Sequence, residues 1–259
     1  MSKIGDFKYQ TFGLRVDWLE LFLISGIDIL RFSSLGPNQK DALYYYLKDM
    51  ELIKNKKETT TFYDIISNIY KSEGIYSINL WSLLWINLYI NSLLFCWYGT
   101  ISLGKHSRKE IINYMIDSYR KMNRSILNGY SSLVGTLEKT PIGELLKLGR
   151  IVKEGSQRTI YKEGNFAFNP IIILYSIYKC VEKLCYINKN LVDLVDMNND
   201  IYSPQKILCI STEQIRKEIL SLYEPSFFTI IPSENSFFIN LNENKSSLDV
   251  VNLYLMRRK

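Results

Sequence analysis

Apolar residues along this 259-residue chain recur mostly at spacings of three and four, the pattern of helices that bury one face. "TFGLRVDWLELFLIS" sets Leu14, Trp18, Leu21, Phe22 and Leu23 on a broad stripe and predicts a helix ending near Gly26. A short helix, "IDILRF", follows; "SSLGP" then makes a turn, and Asn38 is placed to cap the next helix. Within "NQKDALYYYLKDM", Ala42, Leu43, Tyr46, Leu47 and Met50 form the core stripe. Lys40, Tyr44 and Lys48 make a row on the opposite face, beside Gln39, Asp41 and Tyr45. "ELI", "KNKKE" and "TTTF" read as strand, basic turn and strand. Three helices followed by a hairpin predict a winged helix-turn-helix module over residues 1–73.

A central module spans residues 74–195. Its first part, 74–104, carries no charge, and about 20 apolar residues suffice to cross a bilayer. Asn79, Asn87, Asn91, Ser82 and Ser92 would each need a partner inside lipid, so the stretch predicts a buried helix and no membrane contact. Ser107 and Glu110 spell a capping box, and Ile111, Ile112, Met115, Ile116 and Tyr119 line one face of the helix it opens. "MNRS" breaks that helix. The next runs to about Glu138 on Ile126, Leu127, Tyr130, Leu133, Val134 and Leu137, leaving Arg124, Asn128, Ser131, Ser132 and Lys139 outside. "QRTIYKEGNFAF" predicts a hairpin turning at Gly164, and Pro170 opens a helix to about Tyr186.

"DMNNDIYSPQ" reads as a linker into a last module, 196–259. There "STEQ" is a second capping box and "SFFTIIPSENSFFINLN" a hairpin. The fold class expected is mainly α with small β-hairpins: tandem winged helix-turn-helix-like modules around a central buried helix.

Composition narrows the chemistry. A chain that is 47% hydrophobic and 22% charged folds around cores, and a net charge of +6 favours polyanionic partners only mildly. Cys96, Cys180, Cys185 and Cys209 are scattered among apolar residues, as free buried thiols of a reducing compartment are. With a single histidine, His106, the chain cannot build a usual zinc site, and no His-based triad is expected. "GTISLGKHS" approaches a phosphate-binding loop, but His106 stands where Ser or Thr would hold magnesium, so a glycine-containing connector with a surface histidine is expected. "DMNND" opens like a calcium loop, yet Ile201 and Ile207 occupy its Gly and Glu positions. No cofactor, metal or catalytic activity is expected. "MSKIGDFKYQ" has no apolar signal core, which predicts a cytoplasmic protein.

The polar face of the third helix suits a duplex. Asn38, Gln39 and Tyr44 could read base edges, while Lys40, Lys48 and the hairpin lysines Lys54, Lys56 and Lys57 would hold phosphates. Lys121, Arg124 and Asn128 repeat that disposition in the central module. Asp41, Asp49 and Glu51 dilute the patch, and winged modules also serve protein contacts. Two readings follow: a non-catalytic binder of double-stranded DNA, and an adaptor that docks a catalytic partner without touching DNA.

"YQTFGLRVDWLELF" (Tyr9–Phe22) resembles the opening of an uncharacterised bacterial family, domain of unknown function four-thousand-and-seven. There an aromatic-threonine-phenylalanine box precedes an arginine and a tryptophan-bearing helix; Thr11, Phe12, Arg15 and Trp18 hold those positions here. "LGPNQKDALYYYLKDMELI", "NLWSLLWINL" and "SLDVVNLYL" resemble later blocks, although Pro37, Asn38, Gln39 and Lys40 replace the family's glycine-lysine-asparagine turn. The resemblance implies a winged-helix-like prokaryotic protein encoded in phage-defence islands, beside DNA-modification or sulfur-transfer genes that include phosphorothioation systems. It also implies protein subunits of such a complex as partners.

Overall fold

The computed structural model describes residues 7–120, 124–155, 157–184, 190–231, 233 and 236–257. The first third holds α1 (Val16–Ser25), α2 (Ile29–Phe32), α3 (Pro37–Asp49), β1 (Ile53–Asn55), β2 (Glu58–Thr59) and α4 (Thr61–Glu73). The middle holds α5 (Ile78–Asn91), α6 (Leu93–Gly99), β3 (Gly104–Ser107), α7 (Arg108–Tyr119), α8 (Arg124–Lys139), β4 (Arg150–Glu154), β5 (Gln157–Lys162) and α9 (Pro170–Leu184). Then come β6 (Leu191–Asp193), α10 (Leu194–Met197), α11 (Pro204–Leu208), α12 (Thr212–Ser221), β7 (Phe228–Ile231), β8 (Phe238–Leu241) and α13 (Ser247–Met256). The protein is mainly helical, with three small antiparallel sheets among the described residues: β1-β2, β3-β5-β4 and β6-β8-β7.

The uncharged stretch is the centre of the core. α5 is buried along almost its whole length, and its polar heads are answered by other elements. Asn87 donates to the Met50 carbonyl at 3.2 Å and accepts from the Tyr175 hydroxyl at 2.6 Å. Trp85 donates to the Ile207 carbonyl and Tyr89 to that of Ile201. Extended backbone at Ser92 turns the chain 105° into α6. The two helices close tightly because Gly99 lies against Tyr89: a Cβ there would stand 1.9 Å from the ring. Among the described residues no single helix is long and apolar enough to cross a membrane.

One hydrophobic cluster runs from Tyr9 to Tyr254, continuous across positions 73/74 and 195/196. The predicted core row of α3 is fully buried, while Leu21 and Leu127 lie outside their stripes and face solvent. Several local expectations are corrected. Helix α3 begins at Pro37, one residue before Asn38, and it is Gln39 that caps, accepting from the Gly36 amide at 3.0 Å. The central hairpin turns at Gly155, φ +62°, rather than at Gly164. Its strand β5 also pairs with β3, so the connector 99–107 contains a strand, and His106 is buried, bonded to the Ser102 carbonyl at 2.9 Å. Ser132, expected outside, is buried and donates to the Gln10 carbonyl. The supposed linker is packed: Met197 and Ser203 are buried, and Lys206 donates to the Asp200 carbonyl. At "STEQ" Ser211 caps alone, because the Gln214 amide reaches the Phe166 carbonyl instead. Cys96, Cys180 and Cys209 are free and buried; Cys185 and Tyr186 lie outside the described residues.

Lys162, on β5, stands in for a helix cap. Its ammonium donates to the carbonyls of Tyr98, Gly99 and Ile101 at 3.1, 2.9 and 2.7 Å, which closes the end of α6. Burial pulls its pKa down. Lys162→Ala strands the Gly99 and Ile101 carbonyls, while that of Tyr98 keeps the Ile101 amide, so urea unfolding is expected to lose about 3 kcal/mol. A loss below about 1 kcal/mol would refute that role.

Candidate nucleic-acid interface

The lysine face of α3 is present, but its charges are largely spoken for. Asn38 is exposed in the first turn, while Gln39 is occupied with its cap. Lys40 donates to the Arg31 carbonyl at 3.0 Å, closing the end of α2. Lys48 is exposed in the last turn, ten residues from Asn38 and therefore about 15 Å along the axis. The β1-β2 hairpin folds back over α3: Lys56 stands 3.6 Å from Asp41 and 5.1 Å from the Tyr44 ring centroid. Lys54 pairs with Glu58 at 2.5 Å, and the Lys57 amide donates to the Asn55 side chain in the exposed turn. Of the five lysines of residues 37–60, Lys54 and Lys56 are thus paired with the surface acids Glu58 and Asp41.

Beneath this face sits a polar network that fastens α3 to the core. Asp49 is buried and accepts from Tyr9 at 2.5 Å and Lys8 at 3.2 Å. Burial raises its pKa, against the lowering effects of Tyr9 and Lys8. Glu51 accepts from Asn91 at 2.9 Å and from the buried Lys179 at 2.7 Å. These acids are structural.

The central unit presents a second basic surface. α7 and α8 lie between β3 and β4 in sequence, and β5 closes the sheet. Ser107 and Glu110 make their reciprocal cap, whose bonds hold the Glu110 pKa below the usual carboxylate range. Arg124 is exposed and Asn128 half-buried at the start of α8, as expected, whereas Lys121 lies outside the described residues. An open groove of about 470 Å³ is lined by Arg108, Lys109, Asn113, Gln157 and Arg158, with no acid among the described residues of its wall. A smaller pocket of about 190 Å³ lies between residues 11–18, α8 and Arg158. Its walls carry Arg15, Tyr130, Lys139, Arg158 and a single acid, Glu138. Glu138 is held by Lys153 at 2.5 Å and Arg158 at 3.5 Å. Arg108, Lys109, Arg124 and Lys139 have no ion-pair partner among the described residues.

The residues 9–15 that carry the family resemblance pack on α8. The Leu14 amide donates to Thr136 at 2.9 Å, and Gly13 abuts Gly135 backbone to backbone. α3 and α8 also meet through Tyr46 and Thr136, 2.9 Å apart and buried, while Tyr44 and Lys48 lie on the far side of α3. Arg108, Lys109 and Arg158 were not among the expected contacts. Their signal was present in "SRKE" and "QRT", where the arginines begin a helix and a strand, but it was read as capping and alternation alone.

No protein-family model matches the chain, and no curated protein matches its sequence. Two similar solved structures are a magnesium ion-bound SspB crystal structure, with TM-score 0.70 and 12% identity, and an SspB crystal structure, with TM-score 0.68 and 13% identity. Each alignment covers 99% of this chain and 88% of the other. The architecture is therefore that of SspB.

Proposed function

We propose that this chain is a non-catalytic, cytoplasmic DNA-binding component of a phage-defence or DNA-modification system of the phosphorothioation type. The observation that carries the proposal is the likeness of fold to SspB, a phosphorothioation-system protein, over nearly the whole chain. The resemblance of Tyr9–Phe22 to the four-thousand-and-seven family points to the same genetic setting, and Arg108 and Lys109, without an ion-pair partner among the described residues, supply the electrostatic means. Magnesium is bound in one of the SspB structures. Among the described residues no three His, Cys, Asp or Glu side chains gather closely enough to hold a metal ion.

Electrophoresis of a short duplex with the full chain tests the reading. Retardation is expected at about 50 mM salt and is expected to fade steeply by about 200 mM, because phosphate contacts release counterions. No retardation at low salt, together with a stable co-purifying protein, would favour the adaptor instead. The ion pairs of the α3–hairpin face support that second reading, since paired charges suit a protein contact better than a polyanion.

A further inference from the structure

We propose that the pocket between residues 11–18, α8 and β5 is a phosphate site that takes a backbone phosphodiester of duplex DNA. The proposal rests on the DNA-binding reading above and gives it a surface. Tyr130 singles the pocket out. The residue is only 6% exposed, yet its hydroxyl has no hydrogen-bond partner among the described residues. Buried polar groups are rarely left unanswered, and those that are call for a ligand or other partner. The hydroxyl belongs to a side chain that lines the pocket.

Two guanidiniums flank it. Arg108 lies 5.5 Å from the Tyr130 ring centroid, and Arg158 shares the pocket wall. Burial raises the Tyr130 pKa, while Arg108 and Arg158 both pull it down, so both charges are felt at this oxygen. Arginine's planar fork matches a phosphate, and a phenolic O–H is a further donor that a phosphate oxygen can take. Glu138 is the acid in the wall; Lys153 and Arg158 neutralise it, Arg15 is paired with Asp17 at 3.2 Å, and Lys139 remains to make the pocket cationic.

A polymer fits better than a single ion because the basic surface continues. Arg158 lines both this pocket and the larger groove with Arg108 and Lys109, so cationic side chains form a track rather than an isolated nest. Successive phosphates of one strand are the partners such a track suits.

Fluorescence anisotropy of a labelled duplex with the full chain tests the assignment. The Arg108→Gln/Arg158→Gln double variant is expected to bind about tenfold more weakly, with the slope of log affinity against log salt reduced by about two. Tyr130→Phe removes only the unanswered hydroxyl, so its melting temperature should equal the wild type's while its affinity falls about threefold. A melting temperature clearly lowered in Tyr130→Phe would mean the hydroxyl is bonded within the fold, and would overturn the site. So would variants that bind as wild type does while Lys48→Glu/Lys57→Glu abolishes binding; DNA contact would then stand, but on α3 and its hairpin. If inorganic phosphate stabilises the protein as strongly as the duplex does, the ligand is a free anion and the DNA assignment falls. A wild-type chain that binds no duplex defeats the DNA-binding reading itself.

Discussion

Raising the pH from 10 to about 11 is expected to unfold this protein. Tyr9, Tyr46, Tyr89, Tyr98 and Tyr175 are buried, and burial is the leading cause that lifts each pKa above 10.0. Tyr178 is pushed up to about 12 for the same reason. A raised pKa means that the folded state keeps a proton which the unfolded chain has already released. That stability is complete below pH 10 and is lost as pH climbs towards the folded-state values. By pH 11 each such tyrosine has cost about 1.4 kcal/mol relative to a pH well below 10, so the five together have cost about 7 kcal/mol. Whole domains of ordinary stability hold about 5–15 kcal/mol. Lys162 acts in the opposite sense, because its lowered pKa makes its contribution grow up to about pH 10.5, but it is one group against five. Tyrosinate absorbance and circular dichroism followed together provide the measurement. The buried tyrosines should ionise in the same step in which helicity disappears. Gradual ionisation with the helices intact would contradict the expectation.

The second large effect is expected at Gly13. A methyl group there would lie 2.2 Å from the Gly135 carbonyl carbon and 2.3 Å from the Thr136 nitrogen. Both obstacles are backbone, one strand of chain against a helix, and neither can rotate away as a side chain would. The contact is also pinned on either side, by the Leu14 amide on Thr136 and by Ser132 on the Gln10 carbonyl. Gly13→Ala must therefore lift residues 9–15 from α8. A loss of about 3 kcal/mol is expected, at the upper end of overpacking penalties, or roughly a 10 °C drop in melting temperature for a chain of this length. Arg15 and Trp18 line the same pocket and would move with the segment, so duplex binding should weaken in parallel. A variant as stable as wild type would mean that the close approach relaxes without cost.

The helices were the legible part of the sequence because one face of each is dry. Ala42, Leu43, Tyr46, Leu47 and Met50 recur at helical spacing for the same reason that they are buried. The carboxy-terminal hairpin was legible through its aromatic runs, whose Phe228, Ile230, Ile239 and Leu241 meet across β7 and β8. The short strands were not. β3 is "GKHS" and β6 is "LVD"; runs of four and three residues hold too few alternations to distinguish a strand from a loop. Their pairing partners lie on β5 and β8, tens of residues downstream. The candidate site failed to announce itself for a similar reason. Local reading favoured α3, where lysines sit on one face, but could not foresee that Lys56 would fold onto Asp41 or Lys54 onto Glu58. Conversely, Tyr130 looked like one more member of a core stripe. Only the folded chain sets it beside Arg108 and Arg158.

The placement of α5 has a consequence for biosynthesis. Trp85 and Tyr89 find their bonds on residues 207 and 201, more than a hundred positions later. While the ribosome is still translating that interval, the uncharged α5 has emerged with only part of its complementary surface, such as the Met50 carbonyl that Asn87 bonds, to bury against. Complete burial of α5 must then wait for α11, and slow closure over such distances is where nascent chains aggregate. Truncations ending before residue 201 are thus expected to require a chaperone to remain dispersed, whereas the complete chain should release it.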